Sequence, residues 1–397
     1  MTVRSLPRIH LLCVAGSCRE LLADVECKSA GDLIDFVQSA VGPAYWVTGD
    51  ARLIEAPEDD ASGGRSDDAR RARDLQRALT DDCVAAIVSL RGGAWLTRVL
   101  PLCDFDVLVH RTNTLSLFGF SELTTVMNIA ACYPRVRAYY DFSPSFLLHG
   151  LQRHAREHVA KLSPRPLKTE RAIESFAEHW ARRRFRPEFA AFFEDVASIT
   201  EGRGSSRAMT GRLATGRLPR GPVTFVGGNL TLLSVMCGTP YVRAILPPAH
   251  GTATRGVGQV ERSETCRGHE ASRDPAGLAS LDLPYIPSRR APCWLAMEDC
   301  NESPSRVDRL LAHLKLAGVL DAFDGVLLGD FDHKGKNRTA DVLTCLRRYV
   351  TGKPIVVTEQ FGHVWPMSPL PLRRPCRWVR DGRKGDMLRL NWGGTAV

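Results

Sequence analysis

The sequence predicts an α/β protein with two α/β regions joined by a helical, charged segment. Three observations point there. Short apolar runs end at glycines or acids, amphipathic stretches of helical spacing separate them, and 397 residues suffice for two to three domains with real cores. Strands that alternate with helix-length segments need crossover connections, so the first region is expected to hold a parallel sheet.

The elements follow in order. Residues 9–14 are an apolar run closed by Gly16-Ser17, a strand and turn. Arg4 and Arg8 before it loosely imitate an export signal. The run is too short for one and contains His10, so it reads as the first buried strand. Residues 32–41 place Leu33, Ile34, Val37 and Val41 at roughly helical spacing. Residues 58–68 read as an acidic loop, with Ser66 able to cap the next helix and Asp67 and Asp68 favouring its positive end. Residues 84–90 are a buried strand bounded by Asp81-Asp82 and Gly92-Gly93; residues 114–118 are another, broken by Gly119. From about 146 to 200 the pattern is helical and charged, interrupted by Pro164 and Pro166. The cluster Arg182, Arg183, Arg184 and Arg186 is expected at a helix end, where cations are favoured. Residues 201–220, rich in Gly, Ser and Arg, read as a loop or linker.

In the second α/β region residues 294–297 read as a strand. Ser303-Pro304 is a cap with a first-turn proline, and Val307, Leu310, Leu311 and Leu314 line one helix face that Gly318 ends. Residues 325–328 and 354–357 read as further strands. Residues 249–290 lack sustained periodicity and are expected to be a mobile surface insertion, which costs little loop-closure entropy. The expected division is an N-terminal α/β domain over 1–150, a helical and linker segment over 151–220, and a C-terminal α/β domain over 221–397.

Composition narrows the classes. Hydrophobic residues at 44% and charged residues at 24% exclude collagen, long coiled coil and wholesale disorder. No run approaches 18 apolar residues, so no membrane span is expected. The net charge of +9 would suit a polyanion, but the basic residues are not interleaved with aromatics in a nucleic-acid signature, and a mildly basic surface is the expected reading. The twelve cysteines include no Cys-x-x-Cys pair. They read as small buried hydrophobes in a reducing compartment rather than as zinc ligands.

Four places carry candidate chemistry. Leu117-Phe118-Gly119-Phe120-Ser121-Glu122 runs from strand through a tight turn into a helix with Leu123, Val126 and Met127 on one face. Such a turn presents the serine hydroxyl at the strand's end, with free N–H groups and a positive dipole behind it. The bland alternative is a serine N-cap with Glu122 in the first turn. Arg91-Gly92-Gly93 lets backbone N–H groups approach a ligand closely, or is a plain β–α turn. Glu298-Asp299 follows an apolar run, at the end of a strand where α/β sites gather; helix-capping or solvated acids are the alternative. His363 follows a strand in a Gly-containing loop and suits a general base, though ten other histidines exist. His154-x-x-Glu157-His158 matches a zinc-peptidase pattern, but its helix is polar and basic and no third ligand is marked.

Further pieces line up with these: Val14-Ala15-Gly16-Ser17, the helix Arg71-Ala72-Arg73-Asp74-Leu75, Gly227-Gly228-Asn229-Leu230 and Gly238-Thr239-Pro240-Tyr241. Glu298-Asp299-x-x-Glu302 with Arg306-x-Asp308-Arg309 follows, then Gly325-Val326-Leu327-Leu328-Gly329-Asp330-Phe331 and Phe361-Gly362-His363. In this order they resemble the LD-carboxypeptidases, serine peptidases of murein recycling whose relatives include the microcin C self-immunity peptidase. The resemblance spans most of the chain outside roughly 135–215 and 245–290. It implies a parallel-sheet N-terminal α/β domain and a C-terminal α/β domain of swivelling type. It also implies a Ser-Glu-His triad of Ser121, Glu298 and His363, with Glu302 the competing acid. The oxyanion hole would be the N–H of Glu122 plus one from Gly92 or Gly93, and Arg91 and Asn229 would bind substrate. No metal or other cofactor is needed. The implied enzyme is a cytoplasmic homodimer that removes a terminal D-amino acid, typically D-alanine, from an L,D-linked muropeptide, with no nucleic-acid or membrane partner. The alternatives are a microcin C-type peptidase that cleaves an aminoacyl- or peptidyl-nucleotide amide, and a non-catalytic peptide binder. Two departures stand out: Glu122 replaces the family's Asp, and its His-Gly-Pro segment appears as Asp141-Phe142-Ser143-Pro144.

Overall fold

A strand covered on both faces needs a nearly continuous apolar run, and the runs read above become the centres of two sheets. The computed structural model describes residues 6–56, 67–247, 291–380 and 387–392. Ser66 and the 249–290 segment lie outside the described residues. The strands in chain order are β1 (Arg8–Leu12), β2 (Trp46–Gly49), β3 (Val84–Ser89), β4 (Leu115–Gly119), β5 (Val136–Tyr140), β6 (Thr210–Thr215) and β7 (Thr224–Asn229). They continue as β8 (Cys293–Cys300), β9 (Gly325–His333), β10 (Lys336–Asn337), β11 (Ile355–Val357), β12 (Leu370–Pro371), β13 (Arg377–Arg380) and β14 (Met387–Asn391).

The first sheet has the order β12-β5-β4-β3-β1-β2. β1 to β5 are parallel, joined by helices as the alternation predicts, and β12 is antiparallel on β5. The second sheet runs β13-β14-β6-β11-β9-β8-β7, with β7, β8, β9 and β11 parallel and the remainder antiparallel. The protein is therefore mixed α/β, with a parallel-strand sheet first and a second, curled sheet after it.

Several local readings are corrected. The 201–220 stretch is not only linker: β6 lies within it and joins the second sheet. Its alternation of threonine, glycine and arginine hid a strand only part of which is buried. The strands at 294 and 325 run on through their acids, so Glu298 lies inside β8 rather than after it. The four arginines sit in the interior of a 31-residue helix, Glu170–Thr200, which continues through Pro187. Arg182 and Arg184 there pair with Glu178 and Glu188 one turn away. That helix buries Phe185, Phe189, Phe192 and Phe193 against the first sheet and its neighbouring helices.

Three contacts tie the earlier half of the chain to the later one. Leu370 of β12 pairs with Tyr140 of β5. Asn128, in the helix Thr124–Ala130, exchanges two hydrogen bonds with the backbone of Gly227. Arg207 binds Asp141 through its two terminal guanidinium nitrogens, and also holds Asp195 and the Met367 carbonyl.

Candidate active site

β4 ends at Gly119, and the chain turns at Ser121 with φ of 55°, a left-handed conformation uncommon for a residue with a side chain. A short 3-10 turn, Ser121–Leu123, then leads into the helix Thr124–Ala130. Two hydrogen bonds hold the serine's backbone: its N–H donates to Tyr140 Oη at 2.8 Å, and its carbonyl accepts from Thr124 Oγ1 at 2.7 Å. The serine side chain faces the loop after β3. A Cβ placed on Gly92 would come within 3.1 Å of Ser121 Cβ and 3.4 Å of its Oγ. Gly93 has φ of 135°, and a Cβ there would lie 2.4 Å from the Ala15 carbonyl oxygen, so only glycine fits. Among the described residues neither glycine's N–H donates a hydrogen bond.

The second sheet supplies the acid and the histidine. Glu298 pairs in register with Asn229 of β7, while the pairing of β8 with β9 slips between Met297 and Asp299. Such irregularities re-aim side chains, and Glu298 sits at this one. Its carboxylate is fully buried. Oε2 accepts from His363 Nδ1 at 2.6 Å; Oε1 accepts from Tyr140 Oη at 2.7 Å and, more weakly, from Asn229 Nδ2 at 3.4 Å. His363 follows Gly362, whose φ is 114° and where a Cβ would fall 2.8 Å from Glu298 Cβ. Glycine there is what lets the histidine loop close on the acid. The rings of Phe120 and Phe146 flank the imidazole at 4.7 and 5.4 Å. Arg153, on the helix Leu147–Glu157, donates to the His363 carbonyl and forms a two-pronged pair with Asp330. Burial opposes protonation of His363, but the Glu298 charge and the interactions it makes as a donor toward Glu298 and Cys300 hold its pKa well above the usual histidine range. Asp299 is pushed up to about 6 by burial and by the neighbouring Glu298 charge, against the hydrogen bonds from Thr231 and Asn229.

The structure thus brings Ser121, Gly92, Glu298 and His363 to one place, with His363 on Glu298 and not on Glu302. Glu302 meets Thr231 and Arg306. Among the described residues no hydrogen bond joins Ser121 Oγ to His363. The other named residues point elsewhere. Arg91 donates to the Ser17 carbonyl at 2.6 Å, and Glu122 Oε1 accepts from the Leu96 N–H at 3.1 Å. Asn229 gives its amide chiefly to Asp299 and to the N-cap of the helix Leu230–Met236, with the weaker contact to Glu298 besides. His154 and His158 stack on each other at 4.3 Å while Glu157 pairs with Arg153. Sequence reasoning passed over Tyr140 and Arg153. The only local signal for either is a polar-tipped residue at the end of an apolar strand or helix face.

The chain matches the LD-carboxypeptidase N-terminal domain over residues 34–140 and the LD-carboxypeptidase C-terminal domain over residues 278–377. A Streptomyces coelicolor protein that carries a carboxypeptidase name is 28% identical over 314 residues, covering 79% of this chain and 75% of the relative. The muramoyltetrapeptide carboxypeptidase of Oxalobacter formigenes shares the fold with a TM-score of 0.55 at 20% identity, over 96% of this chain and 97% of that one. MccF in complex with glutamyl sulfamoyl guanosine shares it with a TM-score of 0.54 at 16% identity, over 98% and 97%. With both domains matched in order and the fold shared along nearly the whole chain, the chain belongs to the LD-carboxypeptidase family.

Proposed function

We propose that the chain is a serine carboxypeptidase that works with a Ser121-Glu298-His363 triad and releases the terminal D-amino acid from L,D-linked muropeptides, as a cytoplasmic homodimer. The observation that carries this reading is the 2.6 Å bond between His363 Nδ1 and the fully buried Glu298, formed beside a left-handed serine at a strand end. Bonding Nδ1 to the acid fixes the tautomer that leaves Nε2 as the base. His363 takes the Ser121 proton as Oγ attacks the carbonyl carbon, then returns it to the leaving amine; Glu298 stabilises the imidazolium formed between those steps. The hydroxyl lies against Gly92, and hydrogen bonds of this kind often tighten only when substrate arrives. The N–H groups of Gly92, Gly93 and Glu122 serve the oxyanion, the first two being uncommitted among the described residues. Water resolves the acyl-enzyme by the same route in reverse.

A second reading, hydrolysis of an aminoacyl-nucleotide amide, is favoured by the near-equal fold likeness to MccF, whose solved complexes hold aminoacyl sulfamoyl nucleosides. One experiment addresses both. Mass spectrometry should follow product release from an L,D-tetrapeptide and from an aminoacyl sulfamoyl adenosine, with native protein and Ser121→Ala. Native protein is expected to free D-alanine from the tetrapeptide, and Ser121→Ala to lose about 10⁴- to 10⁶-fold in rate while keeping its fold. A variant with more than about a tenth of native activity would remove Ser121 from the mechanism. Turnover of the nucleotide substrate alone would favour the second reading.

A further inference from the structure

Tyr140 stands where the two sheets meet. It closes β5, is fully buried, and its hydroxyl is the only atom among the described residues bonded to both the serine and the acid. We propose that Tyr140 is a positioning residue of the reaction, which through one oxygen sets both the backbone conformation of Ser121 and the orientation of the Glu298 carboxylate. This rests on the Ser121-Glu298-His363 reading.

Three observations carry it. First, Ser121 is held at φ of 55°, a conformation that persists only where its surroundings over-determine it, and the Tyr140 hydroxyl takes its N–H. Second, a buried carboxylate can rotate unless both oxygens are engaged. His363 holds Oε2, and Tyr140 is the short partner on Oε1, the Asn229 contact being 3.4 Å. Third, the ring has a place cut for it. Gly228 has φ of 144°, and a Cβ there would come within 2.5 Å of the tyrosine ring, while Phe361 packs on the ring at 5.0 Å. Burial and the Glu298 charge keep the phenol protonated far above neutrality, so it remains a donor across any working pH.

The groups that meet His363 are Glu298 and Cys300 from β8 and His149 from the helix Leu147–Glu157, with Arg153 of that helix on its carbonyl and Asp330 of β9 behind Arg153. Tyr140→Phe removes one oxygen and leaves all of them in place. The carboxylate then loses a donor, draws the imidazolium more strongly, and moves the acid limb of kcat/KM to higher pH. On the tetrapeptide, Tyr140→Phe is expected to lower kcat about ten- to a hundredfold with KM within about twofold. Tyr139→Phe, on the same strand and outside the site, should match native protein. Replacing Tyr140 with 3-fluorotyrosine keeps the packing and strengthens the donor, so it should move the limb to lower pH. A folded Tyr140→Phe protein with native kcat and an unmoved limb overturns the proposal. If that variant does not fold, an unmoved limb in the fluorotyrosine protein overturns it. Activity retained in Ser121→Ala would instead overturn the triad reading, whatever the tyrosine variants do.

Discussion

One serine in a left-handed turn and one glutamate at a slipped register are the residue-scale facts on which the proposed triad rests. The two candidate acids separate cleanly. Glu298→Gln is expected to lower kcat at least about 10²-fold, because His363 loses the charge that orients it. Glu302→Gln should cost only about 0.3–1 kcal/mol of stability, since it meets Thr231 and Arg306 near a helix start. Steady-state kinetics and thermal melts on both variants check this. The raised His363 sets a pH dependence with a definite sign. As the proposed base, His363 works only when unprotonated, so the acid limb of kcat/KM is expected above pH 6.5, the ordinary histidine value. The same shift contributes stability that is fully present below pH 6.5 and is lost as the pH rises through the raised value. Rate profiles and melts across pH 5 to 9, roughly, would show both. Glu298 was legible because an apolar run points straight at it. Tyr140 was not, because its role depends on a contact across two sheets that no local pattern records.

At the scale of elements, Arg153 ties a helix outside the sheets to the histidine loop. Its guanidinium is mostly buried, bonded to a buried Asp330 and to the His363 carbonyl. Arg153→Met keeps the length and removes the charge, leaving Asp330 unpaired. Loss of about 3–5 kcal/mol is expected, the usual cost of a buried charge stripped of its partner, together with a fall in kcat as the histidine loop loosens. Thermal denaturation and kinetics on one preparation would read both. Strand centres were legible as apolar runs, and the cap Ser303, which accepts from the Arg306 N–H, was legible with its proline. Strand ends were not: β8 and β9 carry acids inward because the site needs them there, against the pattern that marks a buried strand. The arginine cluster misled for a related reason. Pairing one turn apart serves a long helix's exposed face as well as a terminus serves cations.

For the whole molecule, the ties between the two halves of the chain predict cooperative unfolding. β12 lies in the second half of the chain but completes the first sheet, and Asn128 and Arg207 tie the halves together elsewhere. A single transition is expected in which near-UV circular dichroism, far-UV circular dichroism and activity are lost together. Two separated transitions in calorimetry would show that the sheets are independent. The order of family motifs made the fold class legible from sequence. The crossing of β12 was not, since a two-residue strand, Leu370–Pro371, has no periodicity to read.

The division of the site between distant stretches of chain also bears on synthesis. With the proposed triad, a ribosome that has released β4 has made the serine without its base. The acid and histidine emerge much later, and Leu370 must then thread back beside Tyr140 to finish the first sheet. On that reading, hydrolytic capacity is withheld until translation has passed His363. A messenger with a premature stop before residue 363 would then be expected to yield an inert fragment, not a stray peptidase.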